Sequence, residues 1–519
     1  IVLLRRLERM NAAALPQSAP AADALPQAEA LPTATALAPS VAGQLPELGL
    51  MLPYTPLQHL LLAEVGFALV MTSGNISEEP ILAGVDEAHQ LLGSVADAFL
   101  DNDREILSRY DDSVVRVVNG ETLFVRRARG YAPTPLLLPC AASEQPSAAI
   151  LACGPEQKSS FCLARGNTAF VSQHIGDLEN ASTFATWLKT TDLYQRLFGL
   201  QPGLLVCDRH PEYLASKWAR AQAGSLLEVQ HHHAHIASVL AEHHYLDNCI
   251  GVAFDGTGYG EDGNIWGGEV LLASLTGYER LAHLQTVPLA GGRAAIAHPE
   301  QMAFSWLVSC GLAEHPGASN LRQRIGSERL PVLEQIINRR LNSPLTSSMG
   351  RLFDAVSALV GICTQPSYEG QPAVELEAAL YGAAGAAADC SDNAGYKFAI
   401  LDNIIQARPV LSAILDDLEA GASPALISGR FHQAVVEMIV EVCTLIRAQR
   451  GLAHVALSGG CFMNRFLSTH VPLALQAAGF QVLKNRELPA NDGCIAYGQA
   501  AVAAAQLAQL EAAGIQFGN

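Results

Sequence analysis

Short apolar runs and amphipathic stretches alternate from residue 148 to the end of the chain, in two similar series. In the first series, three strand-like runs precede a helical stretch over 181–198, and strands and helices then alternate as far as 229–244. The second series begins at residue 249 with CIGVAFD and repeats that order, with helical insertions. Each series predicts β-β-β-α-β-α-β-α. This indicates two α/β lobes, over 149–247 and 248–519, that face each other across a cleft.

The part of the chain before these lobes predicts a smaller α/β domain over 1–135. Its strands are expected in the apolar run before the polar turn 72–75 and in a hairpin with Asn119-Gly120 as its turn. The stretch 11–48 alternates Ala and Pro with few charges, which is typical of a flexible loop. The segment 136–148 is rich in Pro, Ser and Ala, and it predicts a linker to the first lobe.

The composition narrows the class of protein. The formal net charge is −18 and no basic run appears, which argues against binding to a nucleic-acid backbone. The 11 cysteines include no CxxC pair, so reduced thiols in a cytoplasmic protein are expected. The longest apolar stretch, over 57–71, is interrupted by polar residues and is shorter than the roughly 18–20 residues that span a bilayer. We therefore expect a cytoplasmic protein that binds neither nucleic acid nor membrane.

The candidate metal chemistry begins in the segment VQHHHAHIASVLAEHH. On a helix, His231 and His235 project from one face, which suits either a metal clamp or a helix start whose histidines form hydrogen bonds. Asp255 opens the turn DGTGYGEDG and Asp492 lies in NDGC, and each is either a ligand or a capping residue. Together the four predict a site for Zn²⁺ or Fe²⁺ rather than Mg²⁺. The lack of an HExxH motif argues against a zinc protease, and the segment's other four histidines are expected on the surface or in supporting positions.

Candidates for nucleotide binding lie at turns and helix starts around the predicted cleft. In the two lobes they are Lys158, Gly256, Asp354, Gly459, Gly460 and Asn464. Backbone N–H groups at glycine turns can approach phosphate, and a carboxylate can accept ribose hydroxyl protons. A solvated lysine and a capping asparagine are the structural alternatives. In the N-terminal domain, Thr72, Ser73 and Asn75 form a polar loop that suits either phosphate binding or an ordinary Ser/Thr turn.

Several motifs together resemble the HypF family, the carbamoyltransferases of [NiFe]-hydrogenase maturation. VQHHHAHIASV, FDGTGYGEDGNIWGGE, SSMGRLFDAVSALVG, ALSGGCFMNRFL and NDGCIAYGQA are similar to its C-terminal domain, which has an actin/sugar-kinase-like (ASKHA) fold. LPYTPLQHLLL, VMTSGNISEEPI, DDSVVR and RRARGYAP are similar to its YrdC-like domain. The resemblance implies metal-ligand roles for His231, His235 and Asp255, with Asp492 as the fourth ligand. It also adds Ser113 and Arg127 to the residues expected to contact the nucleotide.

The same resemblance implies the reaction. The YrdC-like domain would join ATP and carbamate, from carbamoyl phosphate, into carbamoyl-adenylate. The C-terminal domain would pass the carbamoyl group to the C-terminal cysteine of the partner HypE, where it becomes a cyanide ligand of the hydrogenase iron. Mg²⁺ with the nucleotide and a homodimer are further expectations. His231, His235 and Asp255 are the expected catalytic residues.

Three departures from the family shape the expected activity. The acylphosphatase-like domain, the zinc-finger region and the first part of the YrdC-like domain lie outside this sequence, and its opening IVLLRR resembles the interior of a strand. We therefore expect transfer from preformed carbamoyl-adenylate rather than hydrolysis of carbamoyl phosphate. The alternatives are a tRNA threonylcarbamoyl transferase, whose histidine helix would read HxEGH rather than HHHAH, and a non-catalytic ATP-binding scaffold.

Overall fold

The computed structural model describes residues 1–5, 38–43, 45–76, 79–139, 148–381 and 395–513. Most of the predicted loop 11–48 lies outside these residues, as does the part of the predicted linker over 140–147. The described chain forms an N-terminal unit and two lobes, each built around its own sheet.

The N-terminal unit pairs its strands in the order β2-β1-β3-β4. Its elements are β1 (Val2–Arg5), β2 (Glu47–Leu50), α1 (Pro56–Val65), α2 (Val85–Leu92), β3 (Val114–Val118) and β4 (Glu121–Arg126). The strand predicted before the turn 72–75 is not formed. The run Phe67–Met71 has no pairing strand among the described residues, and Phe67, Val70 and Met71 are 50–73% exposed. An apolar run cannot form a stable strand without a neighbour to bond its backbone.

The first lobe pairs its strands in the order β10-β9-β6-β7-β8-β5. Its elements are β5 (Leu136–Leu137), β6 (Ala149–Ala152), β7 (Cys162–Arg165), β8 (Thr168–Val171), α3 (Ala181–Phe198), β9 (Pro202–Asp208), α4 (Leu214–Ala221), β10 (Ser225–Val229) and α5 (His231–Glu242). The linker predicted over 136–148 is wrong for its first two residues. Leu136 and Leu137 form an edge strand that pairs with Ala169 and Thr168, because their backbone groups find hydrogen-bond partners at the open edge of β8.

The second lobe pairs its strands in the order β16-β17-β13-β12-β11-β18-β19, with β14 and β15 alongside. Its strands are β11 (Cys249–Tyr259), β12 (Ile265–Ala273), β13 (Tyr278–Leu284), β14 (Val287–Pro288), β15 (Leu345–Thr346), β16 (Ala399–Leu401), β17 (Ile404–Gln406), β18 (His454–Ser458) and β19 (Gln481–Lys484). Its helices are α6 (Arg293–Ala297), α7 (Pro299–Ser309), α8 (Ser319–Ile325), α9 (Arg329–Arg339), α10 (Met349–Val360), α11 (Gln371–Tyr381), α12 (Arg408–Glu419), α13 (Pro424–Arg450), α14 (Arg465–Ala477) and α15 (Ile495–Ala512).

The two lobes repeat one topology. The order β10-β9-β6-β7-β8 in the first lobe corresponds strand for strand to β19-β18-β11-β12-β13 in the second. Helices α5 and α15 are buried in a hydrophobic cluster that also contains strands of both sheets. The predicted duplicated two-lobed α/β fold is thereby confirmed. No helix in the described parts of the chain has the length and apolar character that crossing a bilayer requires.

Candidate metal centre and adjoining cavity

Four side chains from distant parts of the sequence meet where the two lobes join. One nitrogen or oxygen atom from each of His231, His235, Asp255 and Asp492 lies within 4.8 Å of the other three. Oδ2 of Asp255 is 3.5 Å from Nε2 of His231 and 3.4 Å from Nε2 of His235. Oδ1 of Asp492 is 3.8 Å from each of those nitrogens. All four residues are buried.

The protein alone leaves part of this cluster unsatisfied. Nε2 of His231 and Nε2 of His235 are buried and form no hydrogen bond with any described residue. Such a nitrogen costs free energy, because it has lost water without gaining a partner. A divalent cation between the four side chains would bind both nitrogens and compensate the two carboxylates. Two imidazoles and two carboxylates therefore fit the predicted Zn²⁺ or Fe²⁺.

The protonation of the four groups is strongly coupled. Burial lowers the pKa of His231, but the carboxylates beside it outweigh burial and raise that pKa well above its usual value. Burial also lowers the pKa of His235, whereas Cys494 and Asp255 raise it to about 10. The pKa of Asp255 lies well below its usual value, since both histidines outweigh its burial. Burial and then the charge of Asp255 raise the pKa of Asp492 to about 6. Metal binding here would therefore displace protons.

The first turn of α5 positions the histidines. Gln230 caps the helix, since its side-chain oxygen accepts a hydrogen bond of 2.9 Å from the backbone N–H of His233. The turn after Asp255 then packs closely against this helix end. A Cβ on Gly258 would lie 2.4 Å from Cε1 of His232 and 2.9 Å from Cδ2 of His231. Only glycine therefore allows this approach.

Asp255 is held at the end of the regular pairing of β11 with β12. Its Oδ1 accepts a hydrogen bond of 2.9 Å from the backbone N–H of Gly460, which leaves Oδ2 facing the histidines. Its backbone oxygen lies 2.7 Å from the hydroxyl of Ser348, the N-cap of α10. The neighbouring Ser347 donates to the buried Glu269 at 2.5 Å. The WGGE and SSMG motifs thus support the turn that carries Asp255.

The second ring nitrogen of each histidine has its own partner, and the sequence did not single these partners out. Nδ1 of His231 lies 2.8 Å from Oδ2 of Asp208, and both side chains are fully buried. Nδ1 of His235 lies 3.3 Å from Sγ of Cys494 and 3.4 Å from Oγ of Ser458. Asp208 and Ser458 are the last residues of β9 and β18, so their position at strand ends was the one available indication.

The remaining histidines of the segment have structural contacts. His232 and His233 are buried, so a surface position is wrong for these two. Nδ1 of His232 is 3.2 Å from Nε2 of Gln230, and Nε2 of His233 is 2.8 Å from the backbone oxygen of Ser274. The surface alternative is excluded because α5 is covered on all sides by the two lobes, and the contacts of both histidines agree with the supporting alternative. His243 is half-buried beside the Lys484 carbonyl, and His244 is exposed.

A cavity of about 1150 Å³ adjoins the four-residue cluster. It is lined by residues of the N-terminal unit and of both lobes, among them Ser73, Asn75, Arg127, Glu156, Lys158 and Asn491. Gly258 and Gly493, which also line it, belong to the turns that carry Asp255 and Asp492. The cavity is large enough for a nucleotide-sized ligand.

Among the residues of the two lobes that were predicted to bind nucleotide, Lys158 lines this cavity. Its backbone N–H donates to Oδ1 of Asp177 at 2.7 Å. Burial lowers the pKa of Lys158, but Asp492 and Glu369, followed by other carboxylates, outweigh that effect and raise it above the usual value. A cationic amine therefore faces the cavity close to the candidate metal centre.

Asp354 lies outside the cavity lining and is buried in α10. Its Oδ2 is 3.2 Å from Nη2 of Arg351, while its Oδ1 and the Nε and Nη1 atoms of Arg351 have no hydrogen-bond partner among the described residues. Burial raises the pKa of Asp354. Nη2 of Arg351 also lies 3.2 Å from the point that a Cβ on Gly256 would occupy. Asp354 and Gly256 therefore meet at this buried arginine, which the sequence did not indicate.

The loop after β18 serves mainly to build the site. Gly459 has φ +102°, and a Cβ there would lie 2.2 Å from the backbone oxygen of Phe254, so glycine is needed for packing against β11. Gly460 donates to Asp255, as described above. Asn464 caps α14 by accepting from the N–H of Leu467 at 3.1 Å, and its Nδ2 lies 2.9 Å from Nε2 of His432. These contacts match the capping alternative for Asn464.

The predicted residues of the N-terminal unit separate into two groups. Ser73 and Asn75 line the cavity and contact each other at 2.5 Å, whereas the neighbouring Thr72 is exposed outside it. Arg127 lines the cavity and is buried. Its Nη2 donates to two backbone oxygens of the following loop. Ser113 lies outside the lining, and its hydroxyl bonds the backbone of residues 128 and 129.

Comparisons with known proteins identify the family. A family described as "Carbamoyltransferase, Kae1-like Domain, second subdomain" matches residues 251–499, and one described as "HypF Kae1-like domain" matches 145–242. The Sua5/YrdC family, described as "Telomere recombination", matches 15–128. A "Carbamoyltransferase HypF homolog" of Cupriavidus necator is 36% identical over 371 residues, covering 69% of this chain and 92% of that protein. The chain belongs to the HypF family.

The chain also matches HypF proteins that are longer than itself. The carbamoyltransferase HypF of Synechocystis is 38% identical over 477 residues, which are 88% of this chain and 59% of that protein. A crystal structure of full-length HypF in a phosphate- and nucleotide-bound form matches with a TM-score of 0.85 and 40% identity, covering 91% of this chain and 73% of that one. The chain spans about 60% of the length of the first curated HypF relatives that it matches.

Proposed function

We propose that this chain transfers a carbamoyl group from carbamoyl-adenylate to the C-terminal cysteine of a HypE-like partner in the cytoplasm. The observation that carries the proposal is the position of His231, His235, Asp255 and Asp492 beside a cavity that the Sua5/YrdC-like unit and both lobes line together. Membership of the HypF family, and the nucleotide bound to the related crystal structure, support the same assignment. In the longer proteins, ATP and carbamoyl phosphate would supply the adenylate.

The reaction needs an acyl donor, a thiol and a place for the leaving group. The thiolate sulfur of the partner attacks the carbamoyl carbon, a C–S bond forms, the C–O bond to the adenylate phosphate breaks, and AMP leaves. The product would become a cyanide ligand of the hydrogenase iron. No cysteine of this chain has to act as nucleophile. Burial raises the pKa of Cys461, which follows Gly460, well above the usual value, so its reactive thiolate is disfavoured.

The described residues support distinct parts of this chemistry. The cationic amine of Lys158 can bind the adenylate phosphate, and Ser73, Asn75 and Arg127 offer polar groups to the nucleotide from the other side of the cavity. Three parts of the chain line the cavity and would partly shield a labile mixed anhydride bound there from water. A divalent metal held by His231, His235, Asp255 and Asp492 would supply Lewis-acid polarisation.

The proposal is tested with the purified chain, synthetic carbamoyl-adenylate and a HypE-like acceptor. We expect mass spectrometry to find one added carbamoyl group on the acceptor's C-terminal cysteine. His231→Ala should abolish the transfer and lower the bound metal, because it removes one of four ligands. The exposed His59 in α1 provides the control, and His59→Ala should retain both properties.

Two results would contradict the proposal. Transfer of a threonylcarbamoyl group to tRNA, without transfer to the thiol, would favour the related tRNA-modifying activity. A chain in which His231→Ala changes neither metal content nor transfer would favour a non-catalytic ATP-binding scaffold.

A further inference from the structure

The two histidines of the candidate metal centre are supported by chemically different groups. His231 contacts a carboxylate, that of Asp208, at 2.8 Å. His235 contacts a thiol and a hydroxyl, those of Cys494 and Ser458, at 3.3 and 3.4 Å. Asp208 ends β9 and Ser458 ends β18, and these strands occupy equivalent positions in the duplicated lobes. The duplication therefore places one supporting side chain at each histidine, but only one of them carries a charge.

We propose that Asp208 is a positioning residue that holds the proton of His231 on Nδ1 and so keeps Nε2 free to bind a metal. An ionised carboxylate can only accept hydrogen bonds, so the imidazole must donate from Nδ1. Nε2 is then the nitrogen that can give up its proton to a metal ion, and it faces Asp255 and Asp492. A carboxylate that accepts the hydrogen bond from one nitrogen of a metal-binding imidazole also makes the other nitrogen more basic, and so a stronger metal ligand. The inference rests on the proposed metal site.

The backbone fixes the orientation of Asp208. Its Oδ1 accepts a hydrogen bond of 2.8 Å from the N–H of His210, while Oδ2 faces His231. Its own backbone oxygen accepts from the hydroxyl of Ser216 at 2.9 Å. The carboxylate is thus bonded on both oxygens in a fully buried position, and neither oxygen can turn away without losing a bond.

This orientation makes Asp208→Asn an unusually specific test. The N–H of His210 requires an oxygen on its side, so the amide NH₂ of the new Asn would face Nδ1 of His231. The imidazole would have to accept there and carry its proton on Nε2, the nitrogen that faces the metal. Asp208→Ala leaves no side-chain partner at Nδ1, so the proton of His231 can be on either ring nitrogen. We therefore expect Asp208→Asn to bind metal more weakly than Asp208→Ala, although Asn is closer to Asp in shape.

The experiment uses the full chain, stripped of metal and titrated with Zn²⁺ against a chromophoric chelator. Asp208→Asn should lose about 10- to 100-fold in Zn²⁺ affinity relative to the unsubstituted chain. Ser458→Ala should lose less, because Cys494 still contacts His235 and no charge is removed. Thermal unfolding without metal measures packing separately, and there Asp208→Asn should be more stable than Asp208→Ala. The two measurements should therefore rank the two variants in opposite orders.

Each outcome decides between the two proposals. If the unsubstituted chain binds neither Zn²⁺ nor, in a parallel anaerobic titration, Fe²⁺, the metal site is wrong and so is the role of Asp208. If that chain binds metal but Asp208→Asn binds it equally well, the metal site stands and the positioning role is wrong. If Asp208→Ala binds metal more weakly than Asp208→Asn and is also less stable, Asp208 is a packing residue.

Discussion

The carboxyl group of Glu156 shows how a single buried residue couples the cavity to pH. It lies at the cavity wall, is only 5% exposed, and accepts a hydrogen bond of 2.8 Å from the N–H of Leu214. Burial, together with the smaller effect of the nearby acidic residues Glu179 and Asp177, raises its pKa from 4.5 to about 7. Between these two values the folded protein binds more protons than the unfolded chain. The contribution of Glu156 to stability therefore falls as pH rises through this window.

Glu156→Gln should remove that pH dependence, because Gln keeps the hydrogen-bond acceptor but carries no charge. We expect the stability of the variant relative to the unsubstituted chain to increase by about 1–3 kcal/mol between pH 5 and pH 8. Chemical denaturation at several pH values measures this difference. Glu212→Gln is the control, since an exposed hydrogen bond with Lys217 lowers the pKa of that carboxyl and the increase should not appear. If the free energies of unfolding of Glu156→Gln and of the unsubstituted chain change with pH in the same way, Glu156 does not have a raised pKa in the folded protein.

Among individual residues, the sequence predicted those whose residue type and local spacing are enough to indicate a metal ligand. His231 and His235 are one helical turn apart, and Asp255 opens a glycine-rich turn after a strand, so these were identifiable. Asp208 was not, because its role depends on a contact across 23 residues that local spacing does not encode. The bond of Asn464 to His432 was not predictable for the same reason, since it forms only after α13 and α14 pack.

Helix α10 connects a local capping interaction to the candidate metal centre. Its N-cap, Ser348, accepts from the backbone N–H of Arg351 at 3.1 Å, and its hydroxyl lies 2.7 Å from the backbone oxygens of Asp255 and Gly256. One hydroxyl therefore both begins the helix and supports the turn that carries a candidate ligand.

Ser348→Ala should reduce stability by about 1–2 kcal/mol through loss of the cap. It should also weaken Zn²⁺ binding, because the turn that carries Asp255 loses a support. Ser423→Ala is the matched control, since Ser423 caps α13 in the same way but is exposed and lies outside the site. It should cost similar stability without a change in metal affinity. Equal metal affinities in both variants would mean that the cap of α10 does not support the centre.

The elements themselves were predictable where the pattern was long and repeated. The helix expected over 181–198 is α3 (Ala181–Phe198), because the helical spacing of its buried residues and its Asn180 cap are both local features. The short edge strand Leu136–Leu137 was not predictable, since two residues carry no periodicity and the strand exists only through pairing with β8. For the run Phe67–Met71 the error was the opposite one: a strand was predicted but is not formed, because the run has a strand-like pattern but no pairing strand in the described chain.

At the scale of the whole molecule, a cluster of charges joins the N-terminal unit to the second lobe. Arg465, the first residue of α14, forms an ion pair with Glu47 and donates to the backbone oxygen of Val117 at 2.8 Å. Arg116 of β3 lies 3.0 Å from the same Glu47 and donates to the backbone oxygen of Met463 at 3.1 Å. The paired side chains are only 13–15% exposed. This cluster therefore helps to hold the unit that forms one wall of the cavity.

Arg465→Ala should loosen that wall. It leaves Glu47 partly buried with one cation fewer, so we expect a loss of about 2–4 kcal/mol in stability, near the range for a broken buried ion pair. Hydrogen exchange should accelerate most in β2 and β3, because the change removes the contacts of Arg465 with Glu47 and Val117, and in β1, which pairs with both strands. Arg450→Ala is the control: its ion pair with Glu279 is about half-exposed, and such pairs contribute less than about 1 kcal/mol. If both variants show the same small loss and unchanged exchange in these strands, the charge cluster does not hold the N-terminal unit in place, and apolar packing must do so instead.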